Sequence, residues 1–490
     1  MVADPEPYAN DAPSLIEDDT GVSWTPLFWK SCTFDSKLFA EVMNNFIRNP
    51  NLNSSWLFRA DILFEQQPEQ TSSFTICNPA PIIVRFSDFD LKKVLIRKLI
   101  PRNPKRDEPL DQTCLFYHGH DNGNTAVSRS MVIYKPHSTS TDMPFYHPIV
   151  QGIAFLHEWN SETGQGTASI HYQYFNDVVP IPKLARTGLH LLSTLVRHGE
   201  GRKNGYVKRV HHDTLTPQAT FQSTYTRLKQ TYAQKLIETW AETTDPEKHC
   251  FEDLSIAAFL IELWAQMYKE CPFPGFVDIG CGNGLLVYIL RKEGYSGWGM
   301  DARKRKSWEN YAETLENSTD SSLRELVLLP SILEEDDLGP ETLDSELRQR
   351  VHNGVFPRGT FIISNHGDEL TPWTPILATV SDCPFIMIPC CSHDLSGARF
   401  RAAPPKDKSK GSSAYASLVE WVKQLALDCN WAIETEMLRI PSTRNTGIIG
   451  RRRCDESVSV DIPSILRKYG GTGGYVENVI KLMKTPPKGH

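Results

Sequence analysis

The sequence predicts two parts: an α/β domain with a mostly parallel sheet in the C-terminal half, preceded by an α+β domain. From about residue 245 onward, short apolar runs alternate with helical patterns, as they do in parallel α/β sheets. Residues 1–200 instead carry apolar runs separated by polar, Pro-containing loops. The first strand of the alternating part leads into "FVDIGCGNG", a glycine-rich turn that opens a helix. These three observations define the fold class, and the turn indicates where the chemistry lies.

Composition favours a globular enzyme with a sizeable core, because 40% of the 490 residues are hydrophobic and 23% are charged. The formal net charge is −7, so nucleic-acid binding would have to depend on local basic patches. The acidic, Pro-containing start "MVADPEPYANDAP" does not resemble a secretory signal. No apolar run approaches the ~20 residues that cross a bilayer. We therefore expect no membrane partner.

The eleven cysteines are scattered without the spacing of a disulfide framework. In a chain of this length, that pattern is typical of reduced thiols in a cytosolic or nuclear protein. We therefore expect a soluble intracellular protein and assign it to the cytoplasm.

Seven short runs are predicted as strands of the α/β domain. The last two have no clear helix between them and are expected to close the sheet as an antiparallel hairpin. The predicted strands are Phe276–Ile279, Gly297–Met300, Glu325–Leu329, Thr360–Ile363, Pro384–Ile388, Ala432–Ile440 and Gly447–Arg451. The predicted helices are Leu285–Glu293, Lys306–Leu315 and Ala414–Cys429.

The remaining segments complete a five-part organisation. Helical periodicity appears in "IPKLARTGLHLLSTLVRHG" and again in "QSTYTRLKQTYAQKLIETWAE". The predicted parts are a flexible N-terminus (1–20), an accessory α+β domain (21–200), a helical connector (201–270), the α/β domain (271–455) and a C-terminal helical tail (456–490).

The glycine-rich turn places Asp278, Gly280, Gly282 and Gly284 between a strand and a helix. Glycines suit a tight turn whose backbone must approach a ligand closely. A dinucleotide fingerprint, G-x-G-x-x-G, would have its third glycine where Leu285 stands. The spacing is D-x-G-x-G-x-G, the form found in S-adenosylmethionine-dependent methyltransferases. An acid at the strand end suits the cationic methionine moiety better than it suits a phosphate.

A second acid, Asp301, follows the next predicted strand, 19 positions after Gly282. An acid about 20 residues on, at the tip of the second strand, accepts hydrogen bonds from ribose hydroxyls. Two acids and three glycines in this register predict an S-adenosylmethionine site. The fold expected around it is a Rossmann-like methyltransferase domain with a mostly parallel, seven-stranded sheet.

The fourth predicted strand is followed by "NHGDELTP", which places Asn365, His366, Asp368 and Glu369 at its carboxyl end. Ligands of open α/β sheets bind at this end of the strands. The same loop also suits helix capping, because Thr371 and the proline after it are typical of a first helical turn. Both roles are compatible, and contact with cofactor or acceptor is expected.

The fifth predicted strand ends in "PCCSHD", in which Cys390, Cys391 and His393 invite a metal interpretation. Two adjacent cysteines do not easily ligate one ion together, and no second C-x-x-C pair completes a tetrahedral zinc site. No metal is therefore predicted. We expect a tight loop over the substrate, with His393 and Asp394 as polar contacts.

Several motifs together resemble the eukaryotic tRNA (uracil-2′-O)-methyltransferases, which methylate the ribose of uridine 44 in serine tRNA. They are "GYVKRVHHDTLTPQ", "TDPEKHCFEDLSIAAFLIELW", "FVDIGCGNGLLVYIL", "GMDARKRKSW", "SNHGDELTPW", "IPCCSHDLSG" and "YGGTGGYVEN". The resemblance covers the C-terminal half well and the N-terminal half loosely. It implies cofactor contact for Asp278, Gly280, Gly282 and Asp301. Asn365, Asp368 and Glu369 match the family pattern after the fourth strand.

Basic clusters flank the predicted site and favour a groove for an RNA backbone, with tRNA as partner, no DNA and no membrane. Most single charge runs are merely solvated, so their number matters more than any one of them. The candidate phosphate contacts are Arg202, Lys203, Lys208, Arg209, Arg303, Lys304, Arg305, Arg399 and Arg401.

Methyl transfer to a ribose hydroxyl needs positioning and benefits from a base. The candidates for this base are Asp368, Glu369 and His393, with Lys248 able to polarise the oxygen, and Asp368 is preferred. Two alternatives stay open at this point: a methyltransferase of another acceptor class, and a non-catalytic RNA-binding scaffold with a methyltransferase-like fold.

Overall fold

A computed structural model describes residues 4–9, 11–67, 77–102, 106–119, 126–177, 181–205, 212–316, 318–333, 349–405 and 413–484. The chain divides into two units, Met1–Lys208 and Arg209–His490. No helix within these described residues is long and apolar enough to cross a membrane.

In the first unit, the described strands form an eight-stranded antiparallel sheet in the order β1-β2-β8-β7-β6-β5-β4-β3. The strands are β1 (Glu6–Pro7), β2 (Thr25–Cys32), β3 (Leu57–Gln66), β4 (Phe89–Pro101), β5 (Leu110–Gly119), β6 (Val127–Pro136), β7 (Gly152–Asn160) and β8 (Gln165–Gln173). The helices are α1 (Ser36–Arg48) and α2 (Pro182–Lys203), with a 3-10 turn at Pro50–Leu52.

The two helices of this unit pack on one face of the sheet. Helix α1 begins where the Asp35 carboxylate accepts a hydrogen bond from the Leu38 backbone N–H at 2.8 Å. Its apolar stripe, including Phe39 and Phe46, lies in one hydrophobic cluster with Leu192 of α2 and Phe155 of β7. The first unit is therefore an α+β domain, as predicted.

In the second unit, the described strands include a seven-stranded sheet in the order β11-β10-β9-β14-β15-β17-β16. A separate pair, β12–β13, is parallel. The strands are β9 (Phe276–Ile279), β10 (Gly297–Asp301), β11 (Leu323–Glu325), β12 (Val327–Leu328), β13 (Val351–His352), β14 (Phe361–Asn365), β15 (Phe385–Ile388), β16 (Trp431–Met437) and β17 (Thr446–Arg453).

This sheet is mixed rather than parallel throughout, so the prediction of a mostly parallel seven-stranded sheet holds in part. Five neighbouring strands pair in parallel, in the order β11-β10-β9-β14-β15. Strand β17 runs antiparallel to both β15 and β16. The predicted hairpin of the last two strands is confirmed.

Helices cover both faces of the mixed sheet. They are α3 (Gln218–Glu238), α4 (Pro246–Met267), α5 (Leu285–Lys292), α6 (Trp308–Tyr311), α7 (Thr374–Ser381), α8 (Ala414–Asp428), α9 (Ile462–Lys468) and α10 (Tyr475–Lys484). Neighbouring residues of β9 point to opposite faces, as strand geometry requires. Phe276 packs with α3, α4 and α5, and Val277 packs with α7, α8 and α10.

Two predicted elements differ from the structure. The run Glu325–Leu329 is not one strand, because the Leu326 N–H bonds to the carbonyl of Asp301 and the next N–H, of Val327, bonds to that of Arg350. The chain thus leaves the main sheet at this point. The predicted helix Lys306–Leu315 is only α6, since the backbone turns extended at Ala312.

Candidate functional site

A cavity of about 690 Å³ opens at the carboxyl ends of β9, β10 and β14 in the second unit. Asp278 of β9 lies beside Gly299 of β10 and Ile363 of β14, so these three parallel strands end at one edge. Five of the predicted cofactor residues line the cavity: Asp278, Gly280, Gly282, Asp301 and Asn365.

The glycine-rich turn is held by hydrogen bonds to its backbone. The Asp301 carboxylate accepts hydrogen bonds from the N–H groups of Gly282, at 3.0 Å, and Arg303, at 3.1 Å. On the other side, the Trp308 indole N–H donates to the carbonyl of Gly282 at 2.8 Å. Gly282 has a φ of +53°, a conformation that side-chain-bearing residues seldom adopt. Asp301 therefore fixes the turn as well as facing the cavity.

Gly284, the sixth predicted cofactor residue, does not line the cavity but begins helix α5 with a φ of +77°. A Cβ at this position would lie 2.4 Å from Cδ1 of Leu323 in β11. The third glycine thus allows α5 to pack closely on the sheet, which sets the direction of the turn.

Acidic side chains crowd this cavity. Asp278 is only 1% exposed, and burial with the nearby charges of Asp253 and Asp301 raises its pKa well above the usual range. Burial and the neighbouring Glu252 raise the pKa of Asp253 to about 8. Both Glu252 and Asp253 come from α4, which is otherwise largely apolar. Ionising these carboxyl groups is therefore unfavourable on its own, and a cationic ligand would stabilise their charged form.

Unsatisfied polar atoms at the same edge fit S-adenosylmethionine. Oδ1 of Asp278 and Oδ1 of Asn365 are buried and have no hydrogen-bond partner within the described structure. Buried oxygen acceptors of this kind are costly unless a donor reaches them. The ammonium and ribose hydroxyls of S-adenosylmethionine are donors, and its sulfonium is a cation. The residues present therefore suit this cofactor.

The raised pKa of Asp253 predicts how stability changes with pH. The folded chain holds this proton up to about pH 8, whereas an unfolded aspartate releases it near pH 4, so stability should fall across this window as pH rises. We expect the cofactor-free protein to lose about 1 kcal/mol or more between pH 5 and pH 8. Denaturant melts of Asp253→Asn should show a smaller loss. The exposed Asp88→Asn is the control, and an unchanged slope in Asp253→Asn would contradict this account.

The loop after β14 has an unusual backbone. His366 and Asp368, on either side of Gly367, have φ values of +53° and +42°. Such conformations in residues with side chains cost energy and cluster at functional sites. Nε2 of His366 lies 3.2 Å from the Glu252 carboxylate, and the Cys390 thiol donates to Oδ1 of Asp368 at 3.0 Å. The loop is thereby tied to both α4 and the segment after β15.

The predicted catalytic residues do not all reach the cavity. Lys248, Asp368 and Glu369 line it, and burial raises the pKa of Glu369 to about 7. His393 is buried outside the lining, and burial lowers its pKa, although the charge of Asp368 acts in the opposite direction. Of these four residues, Asp368 is the one that both lines the cavity and has a strained backbone conformation.

The potential ligand atoms of Asp368, Cys390 and Cys391 lie within 4.8 Å of one another, so these three groups are close enough to hold a metal ion. Arg444 also approaches the Cys391 sulfur, with its Nη1 atom 3.5 Å away. A guanidinium at that distance disfavours a second cation. The absence of a metal stays a prediction.

The predicted RNA contacts are found in different settings. Arg303, Lys304 and Arg305 line the cavity close to Asp301. Arg399 and Arg401 are exposed in the second unit away from the lining. In the first unit, Arg202 pairs with Glu41 at 3.2 Å and Lys203 donates to the carbonyl of Thr33 at 2.6 Å. Lys208 and Arg209 lie outside the described residues.

The cavity lining also includes residues that were not predicted as site residues, among them Glu252, Asp253 and Tyr475. His366, which was expected among the polar contacts after the fourth strand, lines the cavity as well. The two acids left a signal, because carboxylates inside the apolar run "FEDLSIAAFLIELW" are expensive to bury without a role. Tyr475 lies in the family motif "YGGTGGYVEN", but that motif assigned it no role. Its hydroxyl donates to the carbonyl of Leu328 at 3.1 Å.

The fold and site define an S-adenosylmethionine-dependent methyltransferase. Residues 215–330 match a family model described as a predicted AdoMet-dependent methyltransferase, which makes S-adenosylmethionine the methyl donor. Residues 6–209 match a model described as a TRM44-like, N-terminal bet v1-like domain.

The chain belongs to the tRNA (uracil-O(2)-)-methyltransferase family. It is 54% identical to a curated protein of that name from Neurospora crassa, over 98% of both chains. Curated proteins of the same name from Kluyveromyces lactis and Schizosaccharomyces pombe are 37% and 36% identical. These matches cover 96% and 98% of this chain and 97% and 96% of theirs.

Proposed function

We propose that this chain transfers a methyl group from S-adenosylmethionine to the ribose 2′-oxygen of a uridine in tRNA. The acid-lined cavity beside the glycine-rich turn carries this proposal, because its residues suit the cationic methyl donor. The name shared by the curated members of the family supplies the acceptor. The order of the five parallel strands supports a Rossmann-like assignment for the mixed sheet.

Uridine 44 of serine tRNA is the acceptor that we propose in particular, on the strength of the motif resemblance. For the compartment, we propose the cytoplasm. All eleven cysteines are free, which is consistent with a reducing environment.

The bound cofactor supplies an electrophilic methyl group. Around it, Asp278 and Asp301 would hold the methionine moiety and the ribose, and the strained loop after β14 would present Asp368 to the acceptor. The 2′-hydroxyl is a weak acid, so the Asp368 carboxylate would take its proton as the oxygen–methyl bond forms and the sulfur–methyl bond breaks. Holding both reactants in line supplies much of the rate.

Phosphate contacts are proposed for the basic residues that line the cavity. Arg303, Lys304 and Arg305 begin two residues after Asp301 and line the same cavity, so an RNA backbone bound there would lie next to the cofactor's ribose. Arg399 and Arg401 would extend this contact within the second unit, and Arg202 and Lys203 would add contacts from the first. Binding that depends on contacts between cationic side chains and phosphates weakens steeply as the salt concentration rises.

The acceptor is tested with tRNA transcripts and radiolabelled S-adenosylmethionine. We expect label on unmodified serine tRNA and little on a tRNA that lacks a uridine at position 44. A serine tRNA assembled with 2′-deoxyuridine at position 44 should accept none. Equal labelling of that deoxy substrate would contradict the proposed oxygen and position. Cofactor binding without transfer to any tRNA would instead support a non-catalytic scaffold.

A further inference from the structure

The first unit exposes two aromatic rings that the proposed chemistry does not use. Trp56 is 44% exposed and Phe145 is 58% exposed, and they are the only Trp or Phe side chains exposed to this degree in the described part of the chain. Their rings meet edge to face, with centroids 5.5 Å apart. Exposed aromatic pairs are costly in water and commonly mark a binding surface.

Basic side chains surround the two rings. The Arg106 guanidinium lies 5.2 Å from the Trp56 ring centroid, and the Lys183 ammonium lies 4.0 Å from that of Phe145. Arg102 and Arg106 line a cavity of about 280 Å³ next to Trp56. We call these five residues the aromatic–basic patch. It joins flat apolar faces to cations, the combination that single-stranded nucleic acid requires.

Two residues of the patch lie at the ends of paired strands. Trp56 immediately precedes β3 and Arg102 immediately follows β4, and the Arg102 N–H bonds to the Trp56 carbonyl at 2.9 Å. Beneath them, Leu57, Leu99 and Leu110 form a small buried cluster. Sites on ordered strand ends lose little conformational entropy when a ligand binds.

The charge of the patch favours an anionic ligand such as phosphate over a neutral surface. Arg106 already lies 3.5 Å from Asp107, so its charge is shared. Within the described residues, neither Arg102 nor Lys183 has an acidic side chain within 4.0 Å. Two cations that have no acidic partner among the described residues therefore lie beside the rings.

We propose that the aromatic–basic patch binds an unpaired nucleobase of the tRNA by stacking and contacts the adjacent phosphates. This inference rests on the proposed tRNA substrate. It gives the bet v1-like unit a direct part in substrate binding, independent of the cofactor cavity.

The test compares full-length variants for affinity to a fluorescently labelled serine tRNA transcript at fixed salt. A Trp56→Ala, Phe145→Ala double variant should bind about 10-fold more weakly or worse, because each stacked base contributes substantially. Trp56→Phe keeps an aromatic face and should stay within about 3-fold of wild type. Leu63→Ala removes another exposed apolar side chain from the same unit, 42% exposed, and should change nothing.

The basic residues of the patch are tested by the salt dependence of tRNA binding. Arg102→Ala and Lys183→Ala should each reduce the salt dependence of tRNA binding by about one counterion. In all variants, thermal melts and binding of S-adenosylmethionine by calorimetry should match wild type, which separates a surface effect from misfolding.

Unchanged tRNA affinity in the double variant, with wild-type methyl transfer, would overturn the nucleobase assignment and leave the proposed function standing. The surface would then fit a protein partner. If the wild-type chain binds no tRNA at all, the proposed function fails, and this assignment fails with it.

Discussion

Asp278→Asn is expected to weaken S-adenosylmethionine binding by about 100-fold while leaving the fold intact. The substitution keeps the size of the side chain and removes the negative charge that the cationic cofactor would meet. In the cofactor-free chain, that charge is unfavourable, since burial and the charges of Asp253 and Asp301 raise the pKa of Asp278. The variant should therefore melt at the same temperature as wild type or slightly higher.

Calorimetric titration with S-adenosylmethionine and paired thermal melts check both parts of this prediction. The exposed Glu309→Gln, an acid of the same unit on α6, is the matched control and should bind the cofactor normally. Wild-type affinity in Asp278→Asn would remove this residue from the cofactor site. A large drop in melting temperature would show instead that the acid supports the fold.

Asp368→Asn is expected to lower the single-turnover rate of methyl transfer by about 100-fold, with cofactor and tRNA binding unchanged. The amide keeps the shape of the side chain and cannot accept the hydroxyl proton. The strained loop and the thiol contact from Cys390 would still position it. Asp368→Glu should recover part of the rate.

Cys390→Ala separates this role from a structural one. It removes the thiol that donates to Asp368 and leaves the carboxylate in place, so its rate should stay within about 5-fold of wild type if the carboxylate acts as base. Equal losses in Cys390→Ala and Asp368→Asn would identify a positioning contact. An undiminished rate in Asp368→Asn would exclude the residue as base.

The cofactor side of this site could be predicted from the sequence because the residues that indicate it lie close together in the chain. Asp278, the three glycines and Asp301 lie within 24 consecutive residues, and each follows from what a strand end or tight turn permits. Strands β9 and β14 were also recognisable, since both are short, predominantly apolar and bounded by turn residues. Parallel pairing then brings their carboxyl ends together without further information.

The arrangement of α4, the loop after β14 and α10 around the cavity could not be predicted in this way. His366 meets Glu252 across 114 positions of sequence, and no local pattern joins an acid on an apolar helix to a loop after a distant strand. Tyr475 and Val479 reach the cavity only because α10 packs against the sheet. The strand directions of the sheet could likewise be predicted only in part. The hairpin of the last two strands was expected, but its antiparallel pairing to β15 depends on tertiary packing.

The most direct test of the account is the chemical identity of the methylated product. Serine tRNA treated with the enzyme and S-adenosylmethionine would be digested to nucleosides and analysed by mass spectrometry. The account predicts 2′-O-methyluridine, with the added mass on the ribose fragment, and its loss in Asp278→Asn. A methyl group on the base fragment, or none on any uridine, would contradict it.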